Sequence, residues 1–402
     1  MNISLLYISM MMPQKKANNG GAHTFYYYIN NMAKQRNINV TLIAKARDKK
    51  EASTQIDNVR IFPILNETLT AAHPVRLLKD INSKINPFAK KGNTLRESIY
   101  TQIIDTIIDI NIHPDVIVLE FSQMAYLVYP LKKKFPEAKF LVSEHDVSYL
   151  WYRRKSASQN NFIMKKYWNM IGKYRKKMEL DAIDHCDIIM PHNEKDRRLL
   201  ITDGVDPAKV CPLVPYYEEI NVSRQPNYRD VIIYGAMDRP ENYQSAIWFI
   251  NKVMPLLTDL DIRLLVIGGN PPEKLRNLDN HNIKILGFVD DLKPYFSSCA
   301  AMVAPLSLGA GIKIKVLEAM YAGIPTLTNE IGIEGIPATD KKDYFLCNSS
   351  EDYAGVLKQI IDREVDLNTI SINAHKCIVD NFDKERSFEE YYNRILRLSG
   401  KS

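Results

Sequence analysis

Residues 305–337 read PLSLGAGIKIKVLEAMYAGIPTLTNEIGIEGIP, and the pattern of this stretch organises the rest of the chain. An apolar run ends at Pro305, a turn carrying Gly309 and Gly311 follows, a helix starts near Ile312, and a short strand is predicted at Thr326–Thr328. Strand, glycine turn, helix and strand together form the unit of a parallel sheet covered on both faces. Glycines let the backbone approach an anion closely, and free N–H groups at a helix start point toward it. Lys313 and Lys315 lie at that same end, where the helix dipole repels cations, so an anionic ligand such as pyrophosphate accounts for them. Glu318 stands at i+3 from Lys315 on one helix face. A carboxylate there can accept from both hydroxyls of a ribose diol. The plain alternative is a solvated Lys–Glu pair worth a few tenths of a kcal/mol. The turn is not a P-loop, because no Gly-Lys-Ser/Thr follows the glycines.

The same alternation extends in both directions. In the first half, strands are predicted at Asn2–Ile8, Asn39–Ala44, Val59–Pro63, Val116–Glu120, Phe140–Ser143 and Asp187–Pro191. Helical spacing covers Thr24–Gln35, Leu95–Ile110 and Lys173–His185. Periodicity then stops in the Pro-, Tyr- and polar-rich stretch Val214–Arg229, as in an interdomain linker. A second set of strands follows at Val231–Tyr234, Ile262–Ile267, Ile283–Gly287, Ala300–Ala304 and Thr326–Thr328. The chain of 402 residues suits two domains better than one core. We place a first α/β domain at 1–215, a second at 216–382, and a helix at 383–402 that packs back on the first. Phe388, Tyr391, Tyr392 and Leu396 have core-facing spacing in that helix.

Composition narrows the class. A hydrophobic share of 46% and a charged share of 25% are those of a soluble globular protein. No apolar run approaches the length needed to cross a bilayer, and the run Ile3–Met12 reads as a buried strand rather than a signal peptide. The five cysteines are odd in number and scattered, which suggests structural thiols in a reducing compartment. The first 220 residues carry a net charge of +9 and the remainder −3, so an anionic partner is expected for the first half.

The stretch Pro305–Pro337 resembles the donor-binding signature of family-4 retaining glycosyltransferases, which have the GT-B fold of two facing Rossmann-like domains. VIIYGAMDRPENYQSAIWFINKVMP, LLVIGG, IKILGFVDDLKPYFSSCAAMVAPL and the N-terminal GGAHTF extend the resemblance over nearly the whole chain. It implies a nucleotide-sugar donor, most often a UDP-sugar, transferred with retention to a glycan or lipid-linked acceptor in cell-surface polysaccharide or glycoconjugate synthesis. Glu318 matches the second glutamate of the family's paired-glutamate motif, which holds the donor ribose. Ala310 stands where the first glutamate, which touches the donor sugar, would fall. The family's usual Arg and Lys after the first strand of the second domain are replaced by Gly235-Ala236-Met237-Asp238-Arg239. Arg239, Lys313 and Lys315 are the cations left to neutralise the diphosphate, with Lys315 foremost. Gly309 and Gly311 form the anion turn, and Gly287 and Phe288 fall beside the nucleotide base. Gly21 belongs to the N-terminal loop that closes over the diphosphate. His145, after a buried strand, matches a histidine beside the transferred sugar, although a structural histidine satisfied by a carboxylate fits equally well.

The resemblance implies no metal or other cofactor, the cations of the site being lysine and arginine side chains. Two other functions share the architecture: a nucleotide-sugar epimerase, which needs no acceptor, and a non-catalytic partner subunit, to which Ala310 gives weight. A dehydrogenase is disfavoured because no GxGxxG follows the first strand. Between Trp151 and Met178 lie nine Lys or Arg and no acidic residue, interleaved with six aromatics. That composition suits an anionic membrane surface; a solvated helix with an aromatic core face is the plain alternative, and no nucleic-acid module is present. The expectation is a peripheral protein at the cytoplasmic face of the plasma membrane.

Overall fold

The computed structural model describes residues 2–15, 20–65, 78, 81–82, 86, 97–214, 219–308 and 311–401. It divides into two compact units, Met1–Tyr216 with Lys384–Ser402, and Tyr217–Asp383. Helices of seven residues or more are numbered in chain order.

The first unit is built on six parallel strands: β1 (Ile3–Ser9), β2 (Ile38–Ala46), β3 (Val59–Leu65), β4 (Val116–Glu120), β5 (Lys139–Glu144) and β6 (Ile188–Pro191). Their order is β3-β2-β1-β4-β5-β6. Leu5 pairs with Val40 on one side and Val116 on the other. β4 is buried along its whole length, as a strand covered on both faces by helices requires. The covering helices are α1 (Gly20–Met32), α2 (Glu97–Asp109), α3 (Val128–Lys134), α4 (Ser148–Ala157), α5 (Phe162–Asp184) and α6 (Glu194–Thr202). Two helix starts depart most from the sequence reading. α1 begins at Gly20, so the glycine pair forms its first turn instead of preceding it. α5 begins at Phe162, where the Asn161 side chain accepts from the backbone N–H groups of Ile163 and Met164, so a cap rather than periodicity sets its start.

The last helix, numbered α11 (Lys384–Ser399), belongs to the first unit. Tyr391 and Ile395 are buried in the core formed by β1, β2, β4 and α1, with Phe388, Tyr392 and Leu396 packed at its margin. Burying Ile395 fully contributes roughly 1.5–3 kcal/mol. Polar contacts fix its register: the hydroxyls of Tyr7 and Tyr391 lie 2.9 Å apart, and Arg394 donates to the carbonyls of Cys211 and Pro212 at 2.9 and 2.7 Å.

The second unit repeats the plan with β7 (Asp230–Tyr234), β8 (Arg263–Ile267), β9 (Ile283–Gly287), β10 (Ala301–Ala304), β11 (Thr326–Thr328) and β12 (Phe345–Leu346), ordered β12-β11-β10-β7-β8-β9 and all parallel. Its helices of seven residues or more are α7 (Pro240–Lys252), α8 (Ile314–Tyr321), α9 (Ser350–Ile361) and α10 (Leu367–Asn381). α8 starts two residues later than its glycine turn suggests, with Lys313 at the N-cap. In each sheet the order reverses once, between β1 and β4 and between β7 and β10. Crevices outside the carboxyl ends of strands at such reversals are where open α/β sheets bind ligands.

Candidate functional site

In the second unit the loops leaving β7, β8 and β9 are tied together by backbone bonds. Gly235 N–H donates to Ile267 at 3.1 Å, Met237 N–H to Gly269 at 3.1 Å, and Gly268 N–H to Gly287 at 2.7 Å. This stitching demands glycine at Gly268: with φ +151°, a Cβ there would fall 1.7 Å from the Gly235 carbonyl oxygen. Phe288, 66% exposed, neighbours Gly269 on the same rim.

Across the strand-order reversal, α8 brings Lys315 and Glu318 to these loops. The buried Tyr234 hydroxyl, at the end of β7, is 2.6 Å from the Lys315 carbonyl and donates to Glu318 Oε2 at 3.0 Å. Burial, and Glu318 beside it, push the Tyr234 hydroxyl well above its ordinary pKa, so it remains a donor. Lys315 Nζ donates to Asn242 Oδ1 at 2.6 Å, while Asn242 Nδ2 donates to the Ala236 carbonyl at 2.8 Å. Burial lowers the Lys315 pKa to about 8, with Glu241 opposing the shift and Arg239 adding to it. A buried ammonium on one neutral amide oxygen is incompletely compensated, which makes this cation responsive to an arriving anion.

The predicted residues separate accordingly. Gly235, Arg239, Gly287, Phe288, Lys315 and Glu318 gather at this carboxyl edge. Arg239 caps α7 and pairs with Glu241 at 2.5 Å. Lys313 is engaged differently: it is buried and bonded to the Gly311 carbonyl, with the buried Glu334 carboxylate at 3.5 Å. Its charge therefore has a counter-ion within the fold. Gly311 adopts φ +66°. Gly309, like Ala310, lies outside the described residues. Sequence reasoning missed Tyr234, Asn242 and Gly268; the LLVIGG glycine pair at a strand end was the one available signal.

In the first unit, Gly21 sits in the first turn of α1 and His145 follows β5. The carboxylate that holds His145 comes from the neighbouring strand, not from Glu144 or Asp146. His145 Nε2 lies 2.5 Å from Glu120 Oε1, which also accepts from Ser143 Oγ at 3.1 Å. The imidazole stacks on Phe121 with ring centres 4.1 Å apart and meets His192 at 4.2 Å. Phe121 itself has φ +75°, a strained conformation for an aromatic residue, such as clusters at functional sites. Burial raises the Glu120 pKa to about 8 and lowers that of His145 to about 3. Both groups are thus driven to their uncharged forms, and the pair holds one proton between Nε2 and Oε1 near neutral pH. Glu120, Phe121 and His192 each follow or end a predicted strand, a signal that the sequence offered and that the reading did not use.

Residues 228–363 match the family model of glycosyl transferases group 1. The chain is 24% identical over 287 residues to an uncharacterized 44.6 kDa protein in the cps region of Klebsiella pneumoniae, covering 66% of this chain and 71% of that one. It is 28% identical over 160 residues to an uncharacterized glycosyltransferase of Methanocaldococcus jannaschii, covering 37% of this chain and 39% of that one. Among solved structures, Anabaena HepE in complex with UDP superposes with a TM-score of 0.66 at 10% identity, covering 98% of this chain and 100% of that one. Sucrose-phosphate synthase from Thermosynechococcus elongatus gives 0.72 at 14% identity, covering 99% and 100%. The match to glycosyl transferases group 1 lies within the second unit, and the fold of the chain is GT-B.

Proposed function

We propose that this protein transfers a glycosyl group from a UDP-sugar to the hydroxyl of a glycan or lipid-linked acceptor, with retention at the anomeric carbon, in the synthesis of a cell-surface polysaccharide or glycoconjugate. The observation that carries the donor assignment is the pairing of Glu318 with the Tyr234 hydroxyl and of Lys315 with Asn242 at the strand-order reversal of the second sheet. Glu318 accepts from the ribose hydroxyls, and Lys315 meets the diphosphate. Support for a uridine nucleotide comes from HepE of the same fold, solved with UDP and with UDP-glucose.

In the reaction the bond between the anomeric carbon and the diphosphate oxygen breaks as positive charge develops on the sugar ring. The acceptor oxygen bonds to the same face of the anomeric carbon, and its proton passes to the departing phosphate. Lys315, already desolvated, stabilises the negative charge that grows on the leaving oxygen, an effect larger in a dry site than in water. No metal or other cofactor enters this scheme. His145, with its proton shared by Glu120, is assigned to hydrogen bonding with substrate hydroxyls at the carboxyl edge of the first sheet.

The test is turnover of a panel of UDP-sugars with and without glycan and lipid-linked acceptors. Release of UDP that depends on acceptor, with a product of unchanged anomeric configuration, is expected. An altered sugar formed without any acceptor would instead identify an epimerase. Donor binding with neither product would identify a non-catalytic subunit.

A further inference from the structure

α4 and α5 form an antiparallel helical hairpin on the first unit. Ser156 Oγ donates to the Lys165 carbonyl at 3.0 Å, a Cβ on Gly172 would stand 3.2 Å from Tyr152 Cβ, and Ser148 N–H donates to Glu179 at 3.0 Å. These contacts pair the two helices along their length, and the turn between them is only Ser158–Asn161. The hairpin tip is therefore a rigid projection rather than a mobile loop.

The tip is apolar. Phe162, Ile163 and Met164 are consecutive and are 67%, 75% and 39% exposed, with Met170 two turns on at 51%. No other run of three exposed large apolar side chains occurs among the described residues. Asn161 fixes them by capping α5. A basic collar begins beside them and continues along the hairpin: Lys165 and Lys166 follow directly, Arg153, Lys173 and Lys177 lie further down the two helices, and all five are exposed. Lys166 Nζ lies 4.5 Å from the centre of the Phe162 ring. Not all of the basic residues serve. Arg175 is buried, and Lys176 pairs with Asp203 at 2.5 Å. Acidic residues of α5 begin only at Glu179, at the far end.

We infer that this tip is a membrane-docking element: Phe162, Ile163 and Met164 enter the headgroup boundary of an anionic bilayer while the lysine and arginine collar meets the lipid phosphates. Charge decides the occupant. A second copy would bring two like-charged collars together, whereas an anionic surface offers both apolar depth and negative charge. A polyanion such as RNA would satisfy the collar but leave the apolar tip in water. Among the described residues no helix is long and apolar enough to cross a membrane, so this attachment is peripheral. The inference stands apart from the donor reading, since docking needs no nucleotide.

Co-sedimentation of the full chain with vesicles is the test, comparing phosphatidylglycerol–phosphatidylcholine mixtures with phosphatidylcholine alone. Binding to the anionic vesicles is expected, weakening with salt. The triple variant Phe162→Ser, Ile163→Ser, Met164→Ser should lose about tenfold or more in partitioning. Lys165→Glu with Lys166→Glu should lose at least about fivefold per side chain replaced. These residues are exposed, and retained melting temperature will show that the variants fold. Indifference to lipid charge, undiminished binding in the folded triple variant, or binding to RNA or self-association without vesicle binding would each overturn the proposal.

Discussion

Lys315 Nζ donates to Asn242 Oδ1 at 2.6 Å, joining the start of α8 to the first turn of α7 across the point where strand order reverses. Asn242 spends its other amide atom on the Ala236 carbonyl, so a single side chain sets both the glycine loop and the cation. Lys315 is poised by this arrangement, not saturated: its partner is neutral, and its pKa is lowered to about 8.

A pH dependence follows from that shift. Lys315 loses its charge as pH rises through about 8, so diphosphate affinity of the free protein should fall above that pH and hold steady between 6 and ~7. Lys315→Arg, which stays charged, should flatten the alkaline fall while lowering turnover because its fork fits differently. Titration calorimetry with UDP across pH checks both variants. An identical alkaline fall in Lys315→Arg would assign it to another group.

Glu318→Ala should weaken UDP binding by roughly 1.5–3 kcal/mol, the loss of hydrogen bonds to a charged acceptor. Tyr234→Phe should cost less, about 0.5–1.5 kcal/mol, because it frees the carboxylate from one donor without removing it. Calorimetry on both variants, with melting temperatures as a control for folding, separates the two effects.

Gly268→Ala tests the stitched loops. The added Cβ meets the Gly235 carbonyl at φ +151°, so the loops must part, and a loss of more than about 2 kcal/mol in unfolding free energy is expected. Gly355→Ala, where no atom lies within 4 Å of the new Cβ, should not destabilise the chain. Urea unfolding of the two variants makes the comparison.

Much of this was visible in the sequence, for an identifiable reason. Val116–Glu120, Ile283–Gly287 and Thr326–Thr328 are strands at the residues expected, and the first shows the cause most plainly, since a strand covered on both faces leaves an unbroken apolar run. β12, two residues long, leaves no such run. The site was legible only where its residues sit close together in sequence, as Lys315 and Glu318 do. Lys315 and Asn242 are 73 residues apart, and their contact depends on which strands are neighbours. Glu120 meets His145 because β4 and β5 pair Glu120 with Ser143, a register that no local pattern reveals. The lysines also show why charge alone misleads: Lys313 and Lys315 look equivalent by position, yet the first has Glu334 as its counter-ion.

Glu120 supplies a stability prediction. Burial raises its folded pKa to about 8, above the unfolded value near ~4.3. The native state therefore binds more protons between those values, and stability present at low pH is lost as pH rises through about 8. Glu179, also raised to about 8, and Glu144, whose two oxygens have no hydrogen-bond partner among the described residues, act in the same sense. Glu120→Gln should remove only its own share, giving a shallower decline in melting temperature between pH 5 and ~8. A decline as steep as in the wild type would show that Glu120 is ionised in the folded chain.

The central claim is that the carboxyl edge of the second sheet is a nucleotide-sugar site, and titration calorimetry of the wild type and Glu318→Ala with UDP, UDP-glucose and NAD tests it most directly. The account predicts one UDP or UDP-glucose bound per chain, no NAD binding, and affinity lowered about tenfold or more in folded Glu318→Ala. UDP binding of equal strength in the two proteins, or NAD bound in place of UDP, would contradict it.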